Sequence, residues 1–413
     1  MISISEAVRI VERETRPLGA ERVALPDALS RILAQDISAD SDLPPFDRAQ
    51  MDGYAVRSAD TQDAPVRLRV VGEAAAGRGW RGHLGAGEAV RIMTGAPLPA
   101  GADSVQQVEL TRELEDGRLV EIERATVPGQ FFIKRASEIR AGEMVLRAGE
   151  EVNAARMAAL ASFGYAQVAV GRRPRVAVLA TGTELVAVNE RPDTDQIRDS
   201  NSYSLAAYAA LAGAAPERLP LAGDDPKLLA DAIAEASASA DALVLSGGVS
   251  MGIYDFTKAA LHALGAELFF ERVALRPGKP TVFARLPSSV AGRAADEPPV
   301  LVFGLPGNPV SVSVTFNLFA RPSLRLMQGA LAATLTEERA VLARDTKGAQ
   351  ERASYLPARL VTDEAGRLIA EPLKWGGSSD FVAFARAEAL VHIPQGVKSL
   401  EAGSLVGVVR LPG

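Results

Sequence analysis

The stretch Asp241-Ala-Leu-Val-Leu-Ser-Gly-Gly-Val-Ser-Met-Gly-Ile-Tyr-Asp255 joins an apolar segment to a glycine-rich loop that ends in a carboxylate. The apolar part has the composition of a buried strand. Gly247, Gly248 and Gly252 allow a backbone to approach an anion closely, and Asp255 lies where it can hold a divalent cation against that anion. A strand-to-helix turn that needs glycines only for its geometry explains the same residues equally well. This stretch alone leaves both interpretations open.

Alternating strand and helix patterns surround this stretch, from about residue 175 to 329. Apolar runs typical of strands occupy residues 176–179, 219–221, 242–245 and 300–303. Because amphipathic helical patterns separate these runs, they predict a parallel sheet that is covered on both faces. The ligand crevice of such a sheet lies at the carboxyl ends of its strands.

The rest of the chain predicts two β-rich regions and a few helices. Ser3 and Glu6 have capping-box spacing before a helical pattern, Pro26 indicates a second short helix, and Asn153 is typical of the start of a third. Residues 43–132 are rich in turns and period-2 segments, which favour a compact β domain. The tail returns to short strand patterns.

The composition favours a globular protein of the cytoplasm. The 413 residues are 47% hydrophobic, enough for sizeable cores, and the length predicts roughly three domains. With a net charge of −6 and no long basic run, nucleic acid is not expected as a partner. No window approaches the roughly 20 apolar residues of a membrane span. The absence of cysteine excludes disulfides, thiolate nucleophiles and Cys-ligated zinc. His83, His262 and His392 are scattered and match no metal motif.

Three loops fall at predicted strand ends, where a ligand crevice is expected. They are residues 180–184, 246–255 and 304–309. Asn308 can cap a helix with Pro309 in its first turn, which exposes free N–H groups to an anion, although a plain helix start explains it almost as well. Glu184 can hold a metal or hydrogen-bond a heterocycle, or it is a solvated carboxylate after a turn.

Three further segments have unusual compositions. Arg276-Pro-Gly-Lys-Pro280 places two cations on a stiff loop suited to an oxyanion, or it is a hairpin connection with surface charges. Residues 44–55 carry Phe46, Met51 and Tyr54 among turn formers, which predicts a loop packed against something. Residues 94–101 are a similar ordered turn, or an ordinary loop in which glycine and proline only interrupt regular structure.

Seven motifs together have a distinctive order along the chain. They are Met51-Asp-Gly-Tyr-Ala55, Thr94-Gly-Ala-Pro97, Thr181-Gly-Thr-Glu184, Asp199-Ser-Asn201, residues 246–255, residues 276–280 and Leu305-Pro-Gly-Asn-Pro309. In this order they resemble the molybdopterin molybdenumtransferase family, MoeA, and the E domain of gephyrin is similar. The resemblance covers essentially the whole chain.

The resemblance implies a multi-domain α/β plus β fold in an elongated homodimer. It predicts a helical linker domain (1–42 with 138–172), an inserted small β domain (43–137), a three-layer α/β domain that is MogA-like and binds nucleotide and pterin (173–329), and a C-terminal β domain (330–413). The active site would be shared between subunits, because the inserted domain of one subunit would bring Asp52 and Thr94 to the cleft of the other. The molybdopterin adenylyltransferase would deliver the substrate.

The resemblance also implies an activity and a set of site residues. The activity is insertion of molybdenum from molybdate into adenylylated molybdopterin, with Mg2+-dependent release of AMP, to form molybdenum cofactor. The residues implied in catalysis are Asp52, Thr94, Glu184 and Asp255, the last two also as Mg2+ ligands. Those implied in substrate binding are Gly182, Asn201, Gly247, Gly248, Ser250, Pro306, Gly307 and Asn308, and those implied for molybdate are Arg276, Lys279 and Ser378.

Several positions depart from the family pattern. Glu138 replaces a usual Asp, Ala136 a common Gly, Thr183 a frequent Asp and Arg276 a frequent Lys, and Pro357 lies where many members carry an Arg. Proline has no side-chain donor, so the oxyanion contact expected there must come from elsewhere, such as Arg352 or Arg359.

Two other functions remain as alternatives. A molybdopterin adenylyltransferase is built on a similar α/β domain with the same glycine loop, but the inserted β domain and the motif at residues 51–55 disfavour it. A noncatalytic scaffold of the gephyrin kind would be expected to carry a long linker and a fused second domain, which this sequence lacks.

Overall fold

The structure is a computed structural model that describes residues 1–223, 225–248, 256–294 and 297–412. Contacts within the chain define two compact units. The first comprises Met1–Gln35, Ala148–Met157 and Gln167–Gly413, and the second comprises Asp36–Arg147 and Ala158–Ala166. The finer division into four domains stays a prediction.

The first unit opens with the predicted amphipathic helix, Ile4–Glu14. Ser3 Oγ accepts a hydrogen bond from the backbone N–H of Glu6 at 3.1 Å, so the predicted N-cap is confirmed. The helix predicted around Pro26 is only a short 3-10 turn, Leu25–Ala28. Flanking it, strand Ala20–Ala24 pairs antiparallel with Gln167–Gly171. Helix Ala154–Ser162 follows Asn153, whose Oδ1 accepts from the backbone N–H of Arg156 at 2.9 Å.

A six-stranded sheet forms the centre of the first unit. Its strands, in spatial order, are Ala215–Arg218, Arg175–Ala180, Ala242–Ser246, Leu301–Leu305, Pro280–Arg285 and Glu267–Arg272. The first four are parallel, whereas the last two are antiparallel to their neighbours. The expectation of an all-parallel sheet is therefore wrong at one edge. Residues 273–279 connect two adjacent strands directly, and a chain that reverses without a crossover helix must run antiparallel.

Helices cover both faces of this sheet, as predicted. Alternate residues of each central strand point to opposite faces, so Val244 and Leu245 enter two different apolar cores. The helices of the first unit beyond residue 200 are Asn201–Leu211, Pro226–Ser237, Phe256–Ala263, Pro309–Thr315, Arg321–Met327 and Phe381–Phe384, with a π-helical turn at Phe316–Ala320. Phe283 contacts Phe303 and Phe270 with ring centroids 5.0 and 5.6 Å apart, and these rings fix one face of the sheet.

The C-terminal part of the first unit is a closed β-barrel. Its strands are Glu337–Leu342, Ala353–Thr362, Leu368–Pro372, Ala389–Ile393 and Leu405–Arg410, and short ladders form at Thr346–Lys347 and Ser399–Leu400. Strand Ala353–Thr362 pairs with both Leu368–Pro372 and Ala389–Ile393, which closes the barrel. One end of the same strand pairs in parallel with Leu275–Arg276. Residues 273–279, which connect two strands of the α/β sheet, thus also add a short strand to one end of the barrel.

The second unit contains the predicted β region. Its main sheet has the spatial order Ser104–Gln107, Gly53–Val56, Glu88–Ile92, Val66–Ala74, Leu119–Ile122 and Thr111–Leu114. Arg48–Ala49 pairs with Phe132–Ile133, and Ile37–Ser38 pairs with Met144–Leu146. Short 3-10 turns occur at Ser58–Thr61, Val108–Leu110 and Glu115–Gly117. The α/β plus β fold class is confirmed.

Across the described ranges, the helices are too short or too polar to cross a bilayer.

A buried carboxylate stands at the start of the central strand Ala242–Ser246. Asp241 has no exposed side-chain surface, and its Oδ2 accepts the backbone N–H of Arg175 at 2.9 Å. The guanidinium of Arg293, itself 8% exposed, lies 3.3 Å from Oδ1, and that of Arg172 lies 3.5 Å from it. The carboxylate therefore offsets a nearly buried cation and fixes the strand that leads to the glycine loop.

We expect Asp241→Ala to lower the free energy of unfolding by about 3–5 kcal/mol, because it leaves the charge of Arg293 buried without its partner. Asp231→Ala, on the exposed face of helix Pro226–Ser237, is the matched control and should change it by less than about 0.5 kcal/mol. Urea denaturation of both variants measures the difference. Equal stabilities would contradict this role for Asp241.

Candidate active site

The three loops predicted to form the crevice meet at the carboxyl ends of the parallel strands. Asn201 Nδ2 donates to the hydroxyl of Ser246 at 2.8 Å and to the carbonyl of Gly307 at 2.7 Å. The backbone N–H of Thr181 donates to the carbonyl of Ser246 at 2.8 Å. These contacts join the loops that begin near residues 181, 246 and 305 into one wall.

The described glycines of the central loop are required by the protein's own packing. Gly247 and Gly248 have φ of 97° and 65°, in the region that favours glycine. A Cβ on Gly247 would lie 2.2 Å from the carbonyl oxygen of Thr181, and one on Gly248 would lie 2.6 Å from the hydroxyl of Thr257. The geometric interpretation of these two glycines is therefore confirmed.

The remainder of the central loop belongs to residues 249–255, which lie outside the described residues. The predicted roles of Ser250 and Asp255 fall there and stay predictions. The phosphate interpretation of the loop stays open for the same reason.

A cavity of about 700 Å³ lies against this wall. Its polar side chains include Glu184, Gln196, Asn201 and Ser246. Its apolar side chains include Leu185, Ile197 and Phe381, the last two more than half exposed. Such a mixture of flat or branched apolar surface and hydrogen-bonding groups is typical of sites for heterocyclic ligands.

Asn201 has the most constrained side chain of this cavity. While Nδ2 makes the two hydrogen bonds above, Oδ1 is buried and has no partner among the described residues. Asp199, which is nearly buried, accepts from the backbone N–H of Ser202 at 3.0 Å and so holds the start of helix Asn201–Leu211. The motif Asp199-Ser-Asn201 thus combines a helix-stabilising carboxylate with an amide in the cavity wall.

Glu184 is exposed at the edge of the same cavity. A Cβ on Gly182 would lie 2.5 Å from its Oε2, so the glycine leaves room for the carboxylate to fold back over the loop. Both residues lie in the loop after strand Arg175–Ala180, as the sequence predicts. The role of Glu184 as a metal ligand stays a prediction.

A second cavity, of about 440 Å³, carries the cations. Arg276, Lys279 and Arg352 line it together with Ser378, and no carboxylate is among its described lining residues. Below, we call it the cationic cavity. Arg276 Nη1 donates to the carbonyl of Gly348 at 3.3 Å. An excess of three positive charges without a carboxylate is suited to an oxyanion.

Strand pairing explains why these cations converge. Leu275–Arg276 pairs with Ala353 and Ser354, so Arg276 lies beside the segment that carries Arg352. Gly278 has φ of 116°, and a Cβ there would lie 2.4 Å from the methyl group of Thr315. This close packing on the buried helix Pro309–Thr315 restrains the backbone from which Arg276 and Lys279 extend.

The sequence offers Arg352 or Arg359 as a substitute for the arginine that many family members carry at position 357. Only Arg352 lies in the cationic cavity, whereas Arg359 lines a separate groove with residues 385–388. The two arginines are seven residues apart on or beside one strand, and the pairing of that strand with Leu275–Arg276 brings only its beginning to the site. Of the two alternatives, the position of Arg352 is the one that fits an oxyanion contact in this cavity.

Asn308 lies in the wall of both cavities. A helix begins after it at Pro309, as predicted, but its side chain makes no capping hydrogen bond. Instead Nδ2 donates to the hydroxyl of Ser378 at 2.8 Å, and the backbone N–H of Val310 donates to the carbonyl of Ser378 at 3.0 Å. The predicted capping role of the Asn308 side chain is wrong. A capping hydrogen bond would be accepted by Oδ1, whereas the contact of Nδ2 with the hydroxyl of Ser378 orients the side chain toward that serine. The same contacts place Ser378 in the site.

Two features of this site were missed in the sequence. Trp375 lines the cationic cavity, and Asp380 holds the adjoining loop by accepting the backbone N–H of Gly376 at 2.8 Å. This hydrogen bond and a second one from the backbone N–H of Ala383 lower the pKa of Asp380. A lone tryptophan before two glycines in a β-rich tail was the available signal.

In the second unit, Asp52 and Thr94 contact each other. Asp52 Oδ1 accepts from the backbone N–H of Thr94 at 2.6 Å and from its hydroxyl at 2.7 Å. These two hydrogen bonds, the backbone one first, lower the pKa of Asp52. The pair is exposed and lies in a loop where Phe46 and Met51 keep 38% and 41% of their surface exposed. Tyr54 of the same segment is 1% exposed, so the expectation that the segment is packed against something is met for Tyr54, whereas Phe46 and Met51 keep part of their surface exposed.

Two departures from the family pattern have a structural setting in this unit. Ala136 has φ of 61°, in the region that favours glycine, so this position carries a backbone strain that glycine would not. Glu138 keeps its charge and lies 4.0 Å from the guanidinium of Arg48, both partly exposed.

Family models match three segments of the chain. The MoeA N-terminal region (domains I and II) matches residues 2–164, a molybdopterin binding domain matches residues 177–326, and the MoeA C-terminal region (domain IV) matches residues 339–411.

The chain is also similar to curated proteins over nearly its full length. It is 38% identical to the molybdopterin molybdenumtransferase of Bacillus subtilis, over 99% of this chain and 94% of that protein. It is 37% identical to that of a Nostoc species, over 95% of this chain and 89% of that protein.

Solved structures agree with the sequence comparisons. A molybdopterin biosynthesis MoeA protein from Pyrococcus horikoshii superposes with a TM-score of 0.80 at 32% identity, and each chain is covered completely. A second structure from that organism has a TM-score of 0.78 at 26% identity, again with complete coverage of both chains. Since family models, curated relatives and solved structures all span the chain, it belongs to the MoeA family of molybdopterin molybdenumtransferases, which are enzymes.

Proposed function

We propose that the protein inserts molybdenum from molybdate into adenylylated molybdopterin and releases AMP. The observation that carries this proposal is the adjacency of two unlike cavities that share Asn308 as a wall. One holds three cations and a serine, and the other combines apolar surface with hydrogen-bonding groups. A tetrahedral oxyanion suits the first, and a large heterocyclic substrate suits the second.

The cationic cavity supports the molybdate half of the reaction. Molybdate is a dianion, and it must meet a substrate that itself carries a diphosphate and two sulfurs. Arg276, Lys279 and Arg352 offset this accumulation of negative charge, and the hydroxyl of Ser378 adds a neutral donor. The volume of about 440 Å³ leaves room for the dithiolene end of the substrate beside the oxyanion.

The second cavity supports the nucleotide half. Asn201 and Ser246 offer hydrogen bonds at its floor, while Ile197 and Phe381 offer apolar surface at its mouth. A substrate held there projects its dithiolene past Asn308 toward the cationic cavity. Binding both reactants in adjoining cavities converts their encounter into a reaction within one complex.

The chemistry balances without an oxidant or a reductant. Two Mo–S bonds form and one Mo–O bond breaks, and that oxygen leaves as water with the two thiol protons. Separately, water cleaves the phosphoanhydride to give AMP and the phosphate of molybdopterin. The protein binds, orients and neutralises charge, which are the main contributions available to it in phosphoryl transfer.

We expect Mg2+ to be held partly by the phosphates of the substrate and partly by the protein. Over the described ranges no three His, Cys, Asp or Glu side chains form a ready metal cage. Mg2+ is commonly held by one or two carboxylates together with substrate phosphates, so such a cage is not required. Of the two carboxylates that line the second cavity, Asp199 is engaged by Ser202 and Glu184 is exposed, so Glu184 is the better candidate, and Asp255 stays the second predicted ligand. When bound there, the ion would offset the charge of the diphosphate.

We also propose that the active site is completed in a homodimer, with the second unit of the other copy supplying Asp52 and Thr94. The exposure of Phe46 and Met51 beside Asp52 supports this, because large apolar side chains at an exposed loop favour burial in an interface. Delivery of the substrate by a molybdopterin adenylyltransferase is part of the same proposal.

Purified protein given adenylylated molybdopterin, Mg2+ and molybdate should release AMP and form molybdenum cofactor in equal amounts. Chromatography of the nucleotide and reconstitution of a molybdenum-free enzyme measure the two products. If the protein instead released pyrophosphate from ATP and molybdopterin and left the adenylylated form intact, it would be an adenylyltransferase.

Lys279→Ala and Arg352→Ala should each raise the KM for molybdate by about tenfold or more, because each removes a charged donor from the cationic cavity. The KM for adenylylated molybdopterin should change less. Lys227→Ala removes an exposed charge from helix Pro226–Ser237 and is the matched control. Molybdate titrations of AMP release measure the KM, and an unchanged value in both variants would rule out this cavity as the molybdate site.

The carboxyl of Asp52 should titrate below its ordinary pKa, and Thr94→Val should bring that pKa part of the way back, because valine removes the hydroxyl donor but keeps the backbone N–H. With the folded pKa lowered, the stabilisation from this pair is present above about pH 4 and is lost as the pH falls through the folded pKa. Carboxyl NMR titration of both proteins measures this. A pKa of Asp52 that does not respond to Thr94→Val would contradict the assignment.

A further inference from the structure

We infer that Asn308 is a positioning residue that makes the hydroxyl of Ser378 a hydrogen-bond donor toward the oxyanion. The inference rests on the proposed function, since it concerns the same cationic cavity. It adds the reason why an asparagine, rather than another helix-capping residue, stands between the two cavities.

The direction of the hydrogen bond carries the first step. Asn308 Nδ2 lies 2.8 Å from the hydroxyl oxygen of Ser378. An amide nitrogen can only donate, so the serine oxygen accepts. A serine hydroxyl has a single proton, and that proton is left unused by this contact. Among the described residues no other hydrogen bond to this hydroxyl is present, so its proton is available to a ligand in the cavity that Ser378 lines.

The second step is the fixing of the serine itself. The backbone N–H of Val310 donates to the carbonyl of Ser378 at 3.0 Å, so backbone and side chain of the serine are both held by the start of one helix. Asp380 closes the other end of the loop. Its carboxylate accepts the backbone N–H of Gly376, and its own backbone N–H donates to the carbonyl of Gly377 at 3.0 Å. The hydroxyl oxygen therefore has little freedom of position, and the amide sets its orientation.

The third step concerns the capping hydrogen bond that the Asn308 side chain does not make. Asn308 occupies the N-cap position of helix Pro309–Thr315 but makes no side-chain capping bond. A capping hydrogen bond would be accepted by Oδ1, whereas the donor Nδ2 is the atom that reaches Ser378, so the contact that the side chain makes is with the cavity wall and not with the helix. A residue with only a structural role would be expected to cap.

A double-mutant cycle on molybdate binding tests the inference. Equilibrium dialysis with sodium molybdate, followed by elemental analysis, gives Kd for the wild-type protein, Asn308→Ala, Ser378→Ala and the double variant. Ser378→Ala should weaken binding by about tenfold and Asn308→Ala by about threefold to tenfold. The double variant should match Ser378→Ala, because the amide has nothing to orient once the hydroxyl is absent.

Asn308→Asp is a second variant that keeps the size of the side chain. Its carboxylate accepts the serine proton and reverses the hydrogen bond, and aspartate caps helices as well as asparagine does. Part of its effect on molybdate is charge repulsion, which remains in the Ser378→Ala background. The loss caused by Asn308→Asp should therefore be smaller in that background than in the wild type.

Ser399→Ala, on the same barrel but exposed, should leave molybdate binding unchanged. The midpoint of thermal unfolding should stay within about 2 °C for Asn308→Ala, since no capping bond is lost. Losses that multiply in the double variant, or a lowered midpoint with unchanged binding, would overturn the positioning role alone. Failure of the wild-type protein to bind molybdate would overturn the proposed function as well.

Discussion

The site depends on a two-residue ladder between Leu275–Arg276 and the first residues of the barrel strand Ala353–Thr362. This pairing makes one loop both a hairpin connection of the α/β sheet and an edge of the barrel. It brings together cations that are 76 positions apart in sequence, Arg276 and Arg352. Neither the sheet nor the barrel contains the cationic cavity by itself, so the geometry of the oxyanion site follows from how the two share that loop.

Local charge and overall charge have opposite signs in this protein. The chain carries a net charge of −6, yet the cationic cavity gathers three cations without a carboxylate among its described lining residues. Mutual repulsion makes such an arrangement costly in the absence of an anion. Packing of Gly278 on Thr315 nevertheless holds the loop backbone in place, and the hydrogen bond to the carbonyl of Gly348 holds the guanidinium of Arg276. Charges fixed before the ligand arrives need no rearrangement when it binds, which is how such sites stabilise an anion effectively.

Local sequence patterns were sufficient for much of the fold and for part of the site. Capping residues such as Ser3 and Asn153 mark helix starts because their side chains bond to the next turn, which depends only on nearby residues. The antiparallel edge of the main sheet, and the choice of Arg352 over Arg359, depend on which strands pair and in what register. Contacts between distant segments decide both, and a single sequence does not show them. The glycine loop lies between these two cases. Its glycines are evident in the sequence, but the reason for Gly247 and Gly248 is close contact with Thr181 and Thr257, which only the fold brings near.

Asn308 shows how a functional site departs from the rules of local structure. Asparagine before proline is a strong signal for a capped helix start. The helix does begin after Asn308, as predicted, but the Asn308 side chain does not cap it. Here the helix start is stabilised without that side chain, by the fixed backbone of Pro309 and by the bond from Val310 to the Ser378 carbonyl. Because the carbonyl of Ser378 accepts this N–H, the N–H does not need Oδ1 of Asn308, and Nδ2 of the same side chain donates to the hydroxyl of Ser378 in the cavity wall. Deviations of this kind are expected at functional sites, because a polar group that leaves its ordinary structural partner must gain another partner, in the protein or in a ligand.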